Sequence, residues 1–560
     1  MDEQYTSRQM TSQQKPEGDV PSDNGEGIHS PGAANKGSLA AKARSLNLEN
    51  DWLFGLGMVL SFGLYYVLGN TTLSFGLLND PSLIPASLLP FIGLPFLLVF
   101  MVLAWFRFPL ALALFPLTLP FYLEQDGAHY QKVVLGSLHF SLAEIGVLAL
   151  LVVAVAQVLM RRDVRARFSW RGVWEYAGPF VIPAVIFLLA ACISVVFAYS
   201  RGSAQVALRK VVLFPLIYIT LVLCFVRTHR EVMNLLKGLL GVGLMIGIFG
   251  VIQYVFMQNT LMQEAGGVRI YTVYGNANNV GLLIDYTLPI GLAWLVALKL
   301  SWRQRLLALA VCAPMLISLY LTHSLGSWLA LAAAILFIGA LSLPNRKALL
   351  IVGIVLLVAV GVFLAFEHER ILSYIVGRHA SQLGVGTAEK RIYLWQTAWK
   401  MIRVYPWFGV GLDNWLCHFS NNNVCQAAIY HFWIRHDPVT GYPTGLSDEP
   451  TLSHPHNIFL HVWVSIGIFG LIAFVAVLIL FFWMLARILL RLRAMTLEER
   501  APYRWLAVGV GASMVAALVQ GQVDSAFLEQ DLAYCFWTLC AALLILCSLS
   551  QTRWWGRLKA

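Results

Sequence analysis

The chain has 560 residues, of which 58% are hydrophobic and 12% charged. Soluble domains carry about 25% charged residues, so this composition excludes an ordinary soluble domain. The formal net charge of +10 sits mostly in short segments beside apolar runs, which is the signature of membrane orientation and not of nucleic-acid binding.

Residues 1–50 are rich in Gly, Ser, Gln, Asn and Pro and poor in branched and aromatic apolar residues. Such a segment cannot bury enough surface to offset its ordering entropy, and a disordered cytoplasmic tail is expected. Apolar runs long enough to cross the hydrocarbon core, about 20 helical residues each, then recur about fourteen times. They fall near 52–69, 83–105, 108–123, 140–160, 176–198, 211–227, 235–256, 280–298, 305–322, 326–343, 348–366, 457–485, 505–522 and 532–550. A β-barrel would instead show alternating segments of about ten residues. The third run is short and carries Pro109, Pro116 and Pro120, so a broken or re-entrant helix is expected there.

The predicted architecture is therefore an all-α polytopic membrane protein. Residues 51–366 supply helices 1–11 and 457–550 supply helices 12–14. Residues 367–456 form one large extracytoplasmic loop, and 551–560 a cytoplasmic tail. Connections carrying Arg107, Arg161, Arg162, Arg227, Arg303, Arg346, Arg487 and Arg553 all fall on one side. By the positive-inside rule that side is the cytoplasm.

Against this pattern Arg201, Arg209, Lys210 and Arg269 fall on the outer side. Cations at that face suit an anionic lipid-linked group such as a diphosphate, although each could also snorkel to ordinary headgroups. Within the long loop, residues 389–403 have helical spacing. Ile392, Trp395, Ala398, Trp399 and Ile402 make one apolar face, which suggests a helix at the membrane surface with Arg391 at its rim. The helix could equally pack on its own domain. Cys417 and Cys425 lie in the same loop and could pair in an oxidising compartment. The other six cysteines lie in apolar runs and read as core residues.

The loop closes with His454-Pro-His456-Asn457. Proline keeps His454 out of helical geometry, Asn457 suits a helix cap, and a histidine here can take a proton near neutral pH. Asp448 and Glu449 stand nearby. Without a helical His-x-x-x-His or a Cys ligand, however, no metal site is predicted.

Together these pieces resemble a known family. Arg391-Ile-Tyr-Leu-Trp-Gln-Thr-Ala-Trp399, Pro406-Trp-Phe-Gly409-Val-Gly411, His454-Pro-His-Asn-Ile-Phe-Leu460 and Ile466-Gly-Ile-Phe-Gly-Leu471 are similar to the O-antigen ligase and O-antigen polymerase superfamily. So is the upstream Arg269-Ile-Tyr-Thr-Val-Tyr-Gly-Asn-Ala-Asn278. The resemblance implies a GT-C-like, metal-independent, inverting transferase in the bacterial cytoplasmic membrane. It would move a glycan from undecaprenyl diphosphate to an acceptor glycan, lipid or protein, with no cofactor. His456, with His454 beside it, would be catalytic. Arg391 and Arg269 would contact the diphosphate. One departure is Leu325, which follows Thr322-His-Ser324 where the family often has arginine. Arg370, Arg378 or Arg209, with Lys210 beside it, could supply that charge. Gly409 and Gly411 would shape the loop.

Two other classes remain on the sequence. A transporter or flippase would suit the many spans and Asp285 within the eighth, but no internal repeat is visible. A scaffold with an external binding loop would not need cations gathered beside His-Pro-His.

Overall fold

The computed structural model describes residues 51–69, 89–121, 133–135, 138–167, 174, 177–264, 267–342, 387–419, 435–436, 443–445 and 453–550. The expected span at 348–366, the tail at 1–50, Cys425, Arg370, Arg378, Asp448 and Glu449 lie outside these residues.

Helix α1 spans Asp51–Gly69, α2 Leu89–Phe106, α3 Phe108–Leu114, α4 Leu142–Met160 and α5 Val181–Phe197. Next come α6 Arg201–Phe225, α7 His229–Phe256, α8 Ala277–Leu295, α9 Trp302–Leu321 and α10 Leu325–Ser342. In the long loop lie α11 Thr387–Val404 and α12 Trp415–Phe419, followed by α13 Ile458–Arg493, α14 Leu497–Gln520 and α15 Gln530–Leu549. Ten of the described helices are long and apolar enough to cross a membrane. Three short antiparallel ribbons complete the described elements: β1 Val133–Leu135 with β2 Leu138–Phe140, β3 Met262–Glu264 with β4 Gly267–Arg269, and β5 Arg435–His436 with β6 Pro443–Gly445. The protein is an all-α polytopic membrane protein.

The proline-rich third run is the short helix α3 followed by a 3-10 turn, Phe115–Thr118. Proline removes amide donors, so a long regular helix cannot be sustained there. Capping boxes start α4 (Ser141, Glu144), α7 (Thr228, Glu231), α9 (Ser301, Gln304) and α14 (Thr496, Glu499). Each satisfies two amides that a helix start leaves bare. Helix α15 is buried along most of its length and forms the centre against which α6, α7, α13 and α14 pack.

Helix α6 is not regular. Leu208–Leu213 form a π turn just before Pro215. That turn changes the direction in which Arg209 and Lys210 leave the helix.

The long loop is fastened to α13 through its backbone. Gly467 interrupts α13 with φ of 77°. In a continuous helix the Ile468 amide would donate to the Val464 carbonyl. Here Val410 N–H donates to Val464 O at 2.7 Å, Gly411 N–H to Ser465 O at 3.1 Å, and Ile468 N–H to Pro406 O at 3.0 Å. Residues 406–411 thus pair Val464 O, Ser465 O and Ile468 N–H across the break. A side chain at Gly467 would collide with the Trp407 carbonyl, and one at Gly409 with the Val464 carbonyl. Gly411 lies against Ala198 at the end of α5. At both loop glycines the close approach of neighbouring residues leaves no room for a side chain.

Helix α11 covers the expected range and packs one side against the protein. Leu394, Ala398, Met401 and Ile402 pack with Val410, Trp415, Phe419 and Val464. Ile392 and Trp399, expected on the apolar face, are 49% and 47% exposed. The helix packs on α13, and tertiary packing selects the stripe. Asn414 ties this unit to the α5–α6 connection. Its Oδ1 accepts from Ser200 N–H at 2.7 Å and its Nδ2 donates to Ser200 O at 3.2 Å. Cys417 is disulfide-bonded.

Candidate active site

The site is built where α13 begins and the α14–α15 connection returns. Asn457 Oδ1 accepts from the Phe459 and Leu460 amides, both at 3.1 Å, and so caps α13. Its Nδ2 donates to Gln522 O at 3.2 Å, and Ile458 N–H donates to Gly521 O at 2.6 Å. These bonds hold residues 521–529 against His454 and His456.

Asp524 is the result. It is 3% exposed, and its Oδ1 lies 2.9 Å from His456 Nδ1 and 2.8 Å from the Ser525 amide that donates to it. Burial alone would raise this carboxyl. The charge and hydrogen bond of His456, with the charges of His454 and Arg391, outweigh burial and hold it below the ordinary carboxylate range. An ionised carboxylate only accepts, so the His456 proton sits on Nδ1 and leaves Nε2 as a base. His456 itself has φ of 49°. Trp395 of α11 donates to its carbonyl at 3.3 Å.

His454 stands beside this pair. Its ring centroid is 4.3 Å from that of His456 and 5.3 Å from that of His461. Its Nε2 is 3.6 Å from Glu529 Oε1. Burial pushes its imidazole well below the ordinary value, and the charges of His456, His461 and Arg391 act with burial while Asp524 opposes it. His454 is thus neutral at pH 7. The charge of Arg391, on α11, lowers both His454 and Asp524.

A cavity of about 460 Å³ adjoins the cluster. Lys210, Asn279, Asp413, His454, His461 and Glu529 are among its lining residues. Burial raises the Asp413 carboxyl, and Lys210 pulls it back down. Lys210 therefore reaches the site region, delivered by the π turn of α6.

Two further outer cations, Arg209 and Arg269, are held by the protein. Arg209 Nε donates to Glu144 Oε1 at 2.7 Å, and its guanidinium lies 4.6 Å from the centroid of Phe140. Glu144 uses its second oxygen in the α4 capping box. Arg269 is 5% exposed. Its Nε donates to Thr322 O at 2.6 Å and its Nη2 to Asn278 Oδ1 at 2.9 Å. That places Arg269 on the turn before Leu325, where the expected arginine is missing.

Residues 310–475 match the family model described as O-antigen ligase. This stretch of the chain is similar to the O-antigen ligase family. The matched segment holds α11, the 406–411 clamp, His454, His456 and the first part of α13. It ends before Asp524, Glu529 and Asp531. No match was found among curated proteins.

The α14–α15 connection is what sequence reasoning missed in this O-antigen ligase relative. Asp524, Glu529 and Asp531 fall within eight positions between two apolar helices. Asp531 accepts from Tyr274 Oη at 2.9 Å, and Glu529 from Asn279 Nδ2 at 3.3 Å. Carboxylates concentrated in so short a connection were the available signal. Asp285, singled out as a possible transport residue, is buried within α8.

Proposed function

We propose that this bacterial membrane enzyme of the O-antigen ligase type transfers a glycan from undecaprenyl diphosphate to an acceptor hydroxyl. The observation that carries the proposal is the buried Asp524–His456 pair at 2.9 Å, with Arg391 acting on it from the long loop. His456 Nε2 takes the acceptor proton, and Asp524 stabilises the imidazolium that forms. The acceptor oxygen attacks the anomeric carbon and the lipid diphosphate leaves. A single displacement inverts the anomeric configuration.

Cations fixed beforehand stabilise the charge that grows on the leaving diphosphate. Lys210 lines the cavity beside the histidine cluster, Arg391 acts on His454 and Asp524 through its charge, and Arg269 supports the adjoining turn. Arg209 acts from behind, through Glu144 and the start of α4. Such a leaving group requires no metal. The reaction takes place on the outer face of the cytoplasmic membrane, with both termini inside, in keeping with the charge bias of the connections.

The test is reconstitution in liposomes with an undecaprenyl-diphosphate glycan. Wild-type protein releases the lipid diphosphate and His456→Ala does not. A longer lipid-linked glycan identifies a polymerase, and glycan on a different molecule identifies a ligase. Movement of intact lipid-linked glycan across the bilayer without cleavage would refute the proposal in favour of transport.

A further inference from the structure

The histidine cluster has a geometry that proton transfer does not require. His456 Nδ1 is 2.9 Å from Asp524 Oδ1, His454 Nε2 is 3.9 Å from the same oxygen, and His454 Nε2 is 3.6 Å from Glu529 Oε1. A tetrahedral zinc ion holds nitrogen and oxygen donors at about 2.0–2.2 Å, which sets donor–donor edges near 3.3–3.6 Å. The observed separations straddle that edge length. One donor atom each from His454, His456 and Asp524 lies within 4.8 Å of the other two. Two imidazoles and a carboxylate, with a second carboxylate beside them, form a donor set suited to zinc.

From this arrangement we infer that His454, His456, Asp524 and Glu529 form a zinc-binding site, and that zinc held there blocks the base. The supporting groups are already in place. The Ser525 amide donates to Asp524 at 2.8 Å, and Asn279 donates to Glu529 at 3.3 Å. Hydrogen bonds of this kind fix ligand orientation. Arg391 opposes the ion by charge, whereas the two carboxylates attract it.

Binding rearranges two protons. His454 Nδ1 now accepts a 3.3 Å bond from the His456 amide, so its proton lies on Nε2. To ligate through Nε2 that proton moves to Nδ1, and the long amide bond is given up. On His456 the metal replaces the Nδ1 proton, and a proton on Nε2 then removes the lone pair that would receive the acceptor's hydrogen. The ion thus competes with the active tautomer. This inhibitory half rests on the proposed role of His456, while the binding half does not.

The experiment uses full-length protein in detergent, stripped with chelator and titrated with zinc chloride by calorimetry. Cobalt(II) serves as a second probe, because its visible absorption reports four-coordination. One saturable site is expected. His454→Gln and Glu529→Gln should each weaken binding at least about tenfold, since losing even a supporting group costs about 10–100-fold. Melting curves in chelator establish that each variant is folded. If His454→Gln does not fold, Glu529→Gln and the cobalt spectrum decide. Absence of saturable binding, a cobalt spectrum without four-coordinate bands, or undiminished affinity in the folded variants overturns the site. In the transfer assay zinc should inhibit and chelator should restore. Zinc that binds without inhibiting refutes the inhibitory half. Metal-free protein that releases no lipid diphosphate refutes the proposed function and leaves the titration unaffected.

Discussion

Replacing Asp524 by asparagine keeps the shape of the side chain and removes its charge. The Ser525 amide can still donate to Oδ1, so the turn is retained. The loss falls on His456, whose Nδ1 is 2.9 Å from a carboxylate that is 3% exposed. Hydrogen bonds to charged groups contribute about 1.5–3 kcal/mol. The deep burial of Asp524 puts this one toward the upper end. At about 1.4 kcal/mol per factor of ten, Asp524→Asn should lower kcat about 100-fold. An interaction made mainly with the imidazolium falls on kcat more than on donor KM. The measurement is lipid-diphosphate release in proteoliposomes at saturating donor. Folding is checked by melting in the same detergent. A folded variant with kcat within about threefold of wild type would refute the reasoning, because the pair would then be structural and not part of proton transfer.

Arg391→Ala should raise the donor KM about tenfold, the value of a lost charge-assisted bond, and change acceptor KM little; equal donor binding by mutant and wild type would remove Arg391 from the site. Gly467→Ala adds a side chain where φ is 77° and the Trp407 carbonyl is in the way. It should abolish the folded fraction, read as loss of the monodisperse peak in detergent. Asn414→Ala strips the Ser200 amide of its partner and should lower stability by about 1–3 kcal/mol, measured by thermal melting. The His454 imidazole is held below its unfolded value near 6.5. As pH falls through about 6.5 the unfolded chain therefore takes a proton that the folded protein refuses. Stability contributed by the neutral ring is complete above that pH and is lost below it, by up to about 1.4 kcal/mol per pH unit. His454→Gln should remove that slope from melting curves recorded between about pH 5 and 8.

The spans were legible because lipid leaves little choice: a run of apolar residues must be helical, and capping residues mark its start. His456 stood out as a candidate for a different reason. Histidine beside a proline and a capping asparagine at a membrane mouth is an unusual combination. Asp524 did not stand out, since carboxylates in a short connection also read as ordinary turn and capping residues. Its role comes from Asn457 and Ile458 drawing that connection onto the start of α13. On α11, Trp415 and Val464 pack with Leu394, Ala398 and Met401 while Ile392 and Trp399 stay exposed, a division that periodicity alone does not set. Arg209 shows the converse. Its charge was read from the sequence, but Glu144, which occupies it, lies 65 positions earlier in the chain.

The exchange of backbone bonds at Gly467 also bears on biogenesis. Residues 406–411 are synthesised before residues 464–468, so the clamp leaves the ribosome ahead of the helix that will receive it. Until α13 has entered the bilayer, the loop amides must remain hydrated. The new helix, for its part, can close its own Val464–Ile468 bond. Docking then trades one internal bond for several external ones and bends the helix in the same event. Docking of the 406–411 clamp is thereby tied to insertion of the helix behind it, which keeps this face of the protein incomplete while the chain is still being made.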